Sequence, residues 1–95
     1  MKEVRLNGAK MVDKAATHAY LKRKLTLPGY YGNNLDALWD CLSTDFVQKK
    51  IIIHKPEAMI KNLGSYGEAI IKLFKEVAEE NKYIEVHVDN HTNEN

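Results

Sequence analysis

Ile51-Ile52-Ile53 is an unbroken β-branched run in a chain of 95 residues. A half-exposed strand alternates apolar and polar residues, so this run predicts a strand covered on both faces. Two other stretches do alternate. Val4 and Leu6 flank Arg5 and end at Asn7-Gly8, and Ile84, Val86 and Val88 flank Glu85 and His87. The segments between these strands read as helices. Strands joined by helical crossovers pair in parallel. The spacing therefore predicts an α/β fold in the order strand, helix, helix, strand, helix, helix, strand.

Each helix has local signals. Asp13 can cap a helix from about Lys14 to Leu25, with Ala15, Ala19, Leu21 and Leu25 as a loose apolar stripe. Lys22-Arg23-Lys24 then suits the negative end of its dipole. Pro28 and Gly29 break the chain, and Asn33 or Asn34 can cap the next helix. Pro56 fits the first turn of a third helix, with Met59, Ile60 and Leu63 inward and Gly64 just past the end. Ser65-Tyr66-Gly67-Glu68 has capping-box spacing. Ile70, Ile71, Phe74, Val77 and Ala78 then recur at helical intervals to about Asn81. Residues 90–95 are polar and are expected to fray.

The length fits one domain, residues 1–95, able to bury roughly 60–70% of its unfolded surface. No apolar run approaches the roughly 20 residues that span a bilayer. The start, Met1-Lys2-Glu3-Val4-Arg5, lacks the apolar stretch of a secretory signal, so the reading is a soluble, cytoplasmic protein. The single cysteine, Cys41, rules out an intramolecular disulfide.

Residues 30–46 carry the functional signal. They hold Asp36, Asp40, Asp45 and the pair Tyr30-Tyr31, and none of the 14 Lys and Arg residues. At 100° per residue, Leu35, Leu38, Cys41 and Leu42 fall on one side of a helix. Asp36, Asp40 and Ser43 fall on the other, with Trp39 at the edge. Cys41 is thus read as a small core residue rather than a nucleophile. The acids alone would be an ordinary solvated face. Two tyrosines, a tryptophan and the lack of a nearby base turn the reading toward an interface for a basic partner.

The net charge of +1 is unevenly spread. Residues 1–29 carry seven basic and two acidic groups, while residues 64–95 carry three basic and seven acidic. Attraction to a basic partner must then come from a local patch. The basic third reads as solvated surface rather than a nucleic-acid site. His87 and His91 are four apart but fall on a strand and a tail, so neither metal nor other cofactor is expected. Asp36 and Asp40 lack any accompanying nucleophile motif or Gly-rich phosphate loop, which argues against an enzyme.

The run from Leu25-Thr26-Leu27-Pro28-Gly29-Tyr30-Tyr31-Gly32-Asn33-Asn34 through Leu35-Asp36-Ala37-Leu38-Trp39-Asp40-Cys41-Leu42 closely resembles the barstar family, intracellular inhibitors of the extracellular ribonuclease barnase. Weaker similarity extends from Val4-Arg5-Leu6-Asn7-Gly8 to Leu73-Phe74-Lys75-Glu76. The resemblance implies a three-stranded parallel sheet packed with four helices. It also implies a one-to-one complex between a monomeric bacterial immunity protein and a basic barnase-like ribonuclease or ribonuclease toxin domain, with neither nucleic acid nor membrane as partner. By the same resemblance Asp40 enters the nuclease phosphate site, Asp36 makes a neighbouring charged contact and Tyr30 stacks near the catalytic histidine. Glu76 also touches the enzyme. Trp39 shapes the surface, and Asn34 orients the helix start or bonds across the interface.

Three departures stand out. Family members are typically acidic overall and often have a second cysteine in the last third. They also carry a glycine and a tryptophan where this chain places Thr44 and Asp45, with one extra residue before Ile51. An indole contact is expected to be lost there and an acid to replace it. These departures keep open an alternative, an interaction module of the same fold whose partner is not a ribonuclease.

Overall fold

The structure, a computed structural model, describes residues 2–89. The expected fraying of residues 90–95 and the placement of His91 lie outside the described residues. Three strands and four helices follow in the predicted order: β1 (Lys2–Asn7), α1 (Lys14–Lys24), α2 (Leu35–Ser43), β2 (Lys49–His54), α3 (Pro56–Leu63), α4 (Ser65–Glu80) and β3 (Ile84–Asp89). A single 3-10 turn at Gly8–Lys10 follows β1. The sheet is parallel throughout, with β2 in the middle. Its register pairs Val4 with Ile51 and Ile51 with Val86.

The expectation that β2 is covered on both faces is corrected. Val4, Leu6, Ile51, Ile53 and Ile84 are buried on one face. Ile52 lies on the other, paired across the strands with Arg5 and His87, and keeps partial exposure. Topology supplies the reason. In a sheet ordered β1-β2-β3, two right-handed crossovers step the same way and lay their helices on one face. The other face carries Glu3, Arg5, Lys50, Glu85 and His87, and Ile52 sits among them.

The core lies between that sheet face and the helices. Phe74, Ile70 and Val77 of α4, Leu38 and Leu42 of α2 and Met59 of α3 are fully buried, each contributing about 1.5–3 kcal/mol where the side chain is large. Ile60 and Leu63, also expected inward, keep partial exposure. In α1 the alanine stripe fails. Ala15 and Ala19 are exposed, while Thr17, His18, Tyr20 and Leu21 are buried. Polar groups go inside there because they are bonded. Thr17 donates from its hydroxyl to the Asp13 carbonyl at 2.7 Å, and the Asn7 backbone N–H donates to the Tyr20 hydroxyl at 2.8 Å.

The ends of the helices follow their caps. Asp13 accepts from the Ala16 N–H at 2.7 Å, and Pro56 opens α3 as expected. The capping box at Ser65 does not form; Gly64, at φ 61, ends α3 and starts α4 without a side-chain cap. Gly8 admits no side chain, because a Cβ there would lie 2.1 Å from the Lys55 carbonyl oxygen. This close approach seats the start of α3 against the end of β1.

Candidate functional site

The candidate site is built on the connection from α1 to α2. After α1, Thr26 takes a left-handed conformation at φ 54, and the Leu27 N–H returns to the Lys22 carbonyl at 2.9 Å. The Tyr31 N–H then donates to the Pro28 carbonyl at 3.0 Å. This tight path sends the two adjacent tyrosines in opposite directions. Tyr30 is 88% exposed, while Tyr31 is buried. The Tyr31 hydroxyl lies 2.7 Å from His18 Nδ1. Burial first, then the neighbouring Tyr66 and Cys41, push the Tyr31 phenol well above its usual range, so it stays neutral.

Asn33 and Asn34 divide the work of starting α2. Asn33 supplies the turn, at φ 56, a conformation asparagine tolerates. Asn34 is the cap. Its Oδ1 accepts from the Ala37 N–H at 2.8 Å and its Nδ2 donates to the Gly32 carbonyl at 3.2 Å. Such a cap is worth about 1 kcal/mol. Both ends of the Asn34 amide are therefore used to orient the helix.

α2 then presents its two faces as the periodicity predicts. Leu38 and Leu42 are buried, and Leu35 and Cys41 pack partly against the core. Asp36 and Asp40 are exposed on successive turns. Among the described residues neither forms an ion pair. Like charges at this spacing cost roughly 0.2–0.5 kcal/mol. Asp36 regains part of that from the positive end of the helix dipole, but Asp40 lies too far along to do so. The fold thus holds a small electrostatic cost on this face, which a bound cation would relieve. Trp39 borders the acids, half-buried against the core.

Glu76 lies exposed on α4, which packs beside α2. Lys72 and Lys75 lie on the same helix within pairing distance in sequence, but no pair with Glu76 or Glu79 is among the described ion pairs. Tyr30, Asn34, Asp36, Trp39 and Asp40 come together on one continuous segment. Glu76 joins them only through helix packing. A cavity of about 420 Å³ flanks the segment, bounded by Tyr30, Leu27, Pro28, Cys41 and Val47. Burial, then Asp40 and Asp45, raise the Cys41 thiol above its usual range, which disfavours a reactive thiolate.

In the loop after α2, Asp45 is engaged within the fold. Its Oδ1 accepts from the Val47 N–H at 2.9 Å, and its Oδ2 holds the ammonium of Lys49, which is buried. Asn81, also buried, donates to the Leu42 carbonyl at 2.9 Å and the Asp45 carbonyl at 2.8 Å. These contacts pin the loop and lift Phe46 and Val47 outward, at 72% and 60% exposure. The Phe46 ring meets Tyr83 edge-on, with centroids 5.8 Å apart. Phe46 is not among the residues that the sequence singles out; its signal there is an apolar pair, Phe46-Val47, set in a polar stretch outside the helical and strand patterns.

Among the described residues no three His, Cys, Asp or Glu side chains converge as a metal site, and no helix is long and apolar enough to cross a membrane.

A family model described as "Barstar (barnase inhibitor)" matches residues 1–90. The protein named "Putative ribonuclease inhibitor YrdF", from Bacillus subtilis (strain 168), is 37% identical over 84 residues. The match covers 86% of this chain and 91% of that protein.

Proposed function

The chain belongs to the barstar family, and from that premise we propose that it inhibits a basic, barnase-like ribonuclease by plugging its active site. The observation that carries the reading is the pair Asp36 and Asp40, exposed beside the outward Tyr30 and without an ion-pair partner among the described residues. A nuclease that cleaves RNA concentrates cations around a phosphate. Carboxylates fixed on a helix satisfy those cations with charge-assisted hydrogen bonds. They offer no scissile bond, so inhibition is occupancy without turnover.

In this reading Asp40 takes the phosphate position and Asp36 the cation beside it. Tyr30 covers the catalytic histidine, and Glu76 meets a basic group at the rim. Trp39 fills the ground between the acids and the core. Asn34 acts by capping α2. Phe46 joins the set as an exposed aromatic anchor on the pinned loop, in the region where the family resemblance implied a lost indole. The complex is one to one, and the biological role is immunity: a cytoplasmic inhibitor protecting its producer from a ribonuclease.

RNA cleavage by a barnase-type ribonuclease, measured with rising amounts of this protein, tests the reading. Inhibition that saturates at one equivalent and disappears with Asp40→Ala supports it. Full cleavage at excess inhibitor would sink it for this class of enzyme and favour a non-ribonuclease partner for the same face.

A further inference from the structure

His18 is a buried titratable side chain that the inhibitor reading leaves without a role. It is 2% exposed, and both ring nitrogens are engaged. Nδ1 lies 2.7 Å from the Tyr31 hydroxyl and Nε2 lies 2.6 Å from the Tyr66 hydroxyl. One imidazole thus ties α1, the segment before α2 and α4 together. Tyr31 sits between the outward Tyr30 and the Gly32-Asn33-Asn34 turn that caps α2. Whatever holds Tyr31 holds the entrance to the acidic face.

The hydrogen-bond chemistry of this triad depends on a single proton. A neutral imidazole has one donor and one acceptor, so one phenol donates to it and the other accepts. An imidazolium has two donors. The phenol that donated must then turn round, and its own O–H loses its acceptor, in a buried place at Tyr31 and a half-buried one at Tyr66. The surroundings oppose the imidazolium as well. Lys14 and Lys22 of α1 border the cavity of about 440 Å³ over His18, along with Asn33 and Tyr66. Lys14 also stands over the Tyr66 ring, 4.5 Å from its centroid. From α2, the Cys41 thiol lies near Tyr31. Among the described residues no carboxylate lines the cavity. Burial also holds the His18 pKa below its ordinary value.

We propose that His18 is a positioning residue for the α2 face, and that its protonation frees residues 29–34 and weakens nuclease binding in acid. The binding half of this inference rests on the function proposed above; the coupling of His18 to the loop does not.

The experiment is a titration of the free protein from pH 8 to pH 5, followed by backbone amide and imidazole NMR signals. The amides of Tyr30 to Asn34 should shift together with the His18 ring. His18→Gln, which keeps one donor and one acceptor but does not titrate, should leave those amides still. Tyr31→Phe keeps the ring and removes the hydroxyl. There His18 should still titrate while the loop no longer follows, which keeps the test decisive even if His18→Gln fails to fold. Loop amides that ignore the His18 titration in the wild type, or still follow it in Tyr31→Phe, overturn the proposal. Inhibition of a barnase-type ribonuclease over the same range reads the binding half. The wild-type potency, taken relative to His18→Gln to cancel the titration of the nuclease, should fall roughly tenfold per pH unit below the midpoint. A constant ratio overturns that half. No inhibition by the wild type at any pH would instead reject the proposed function, while the amide titration still decides the coupling.

Discussion

The ammonium of Lys49 closes on the carboxylate of Asp45 at the foot of the sheet, and the lysine side chain is only 6% exposed. A buried ion pair of this kind contributes little net stability, but breaking one side strands a charge. Asp45→Ala should therefore cost about 3–5 kcal/mol in urea unfolding. Lys49→Met in that background should recover most of the loss, because the stranded charge goes with it. A single substitution within about 0.5 kcal/mol of wild type would mean that the ammonium escapes to water.

The acidic face should behave oppositely. Asp40→Ala removes an exposed carboxylate and leaves the core untouched, so stability should stay within about 0.5 kcal/mol. Binding to a barnase-type ribonuclease should weaken by at least about 2 kcal/mol, on a hot-spot scale drawn in part from the barnase–barstar pair itself. Asp36→Ala should lose less. Calorimetric titration and urea unfolding of the same samples separate the two effects. An Asp40→Ala protein that unfolds, or binds as tightly as wild type, would remove that residue from the centre of the interface.

Salt gives an independent check. The net charge of +1 provides no global attraction to a basic enzyme, so steering falls to the patch of Asp36, Asp40 and Glu76. The association rate should fall as ionic strength rises, while the dissociation rate changes little. Stopped-flow mixing at low and high salt measures both. An association rate indifferent to salt would count against local steering.

What the sequence made legible follows from how local each signal is. The heptad-scale pattern of Leu35, Leu38 and Leu42 places Asp36 and Asp40 outward without any knowledge of the fold, and the Asn34 cap needs only its neighbours. Strand order and crossover hand decide whether Ile52 is covered, and the β-branched run carries neither. α1 misled for a related reason. His18 and Thr17 are buried because of bonds to Tyr31, Tyr66 and the Asp13 carbonyl, and two of those partners come from other elements. Asp45 reads as a surface acid because nothing in its neighbouring residues marks Lys49 as a buried partner. The ion pair becomes visible only once the loop folds back.

Acid should destabilise the chain through His18. Its folded pKa lies below the unfolded value of about 6.5, because burial disfavours the charged ring. Between those two values the unfolded chain binds more proton, so stability rises with pH. The contribution is complete above about pH 6.5 and is lost as pH falls toward the folded value. Urea midpoints for wild type and His18→Gln should converge as pH drops from 7 to 5. Parallel curves would show that His18 is not the group responsible.

Phe46 offers the sharpest test of partner choice. Its ring is 72% exposed and touches Tyr83 only edge-on, so little of the fold depends on it. Asp45, Lys49 and Asn81 nevertheless hold the loop beneath it, which lowers the entropy a partner must remove on binding. Phe46→Ala should leave the urea midpoint close to wild type and weaken nuclease binding by about 1–3 kcal/mol, mainly through faster dissociation. Phe46→Trp should hold or improve the affinity for a barnase-type enzyme, since a larger ring covers more of the same surface. If Phe46→Ala binds as tightly as wild type, the loop lies outside the interface and Tyr30, Asp36 and Asp40 define its boundary on this side.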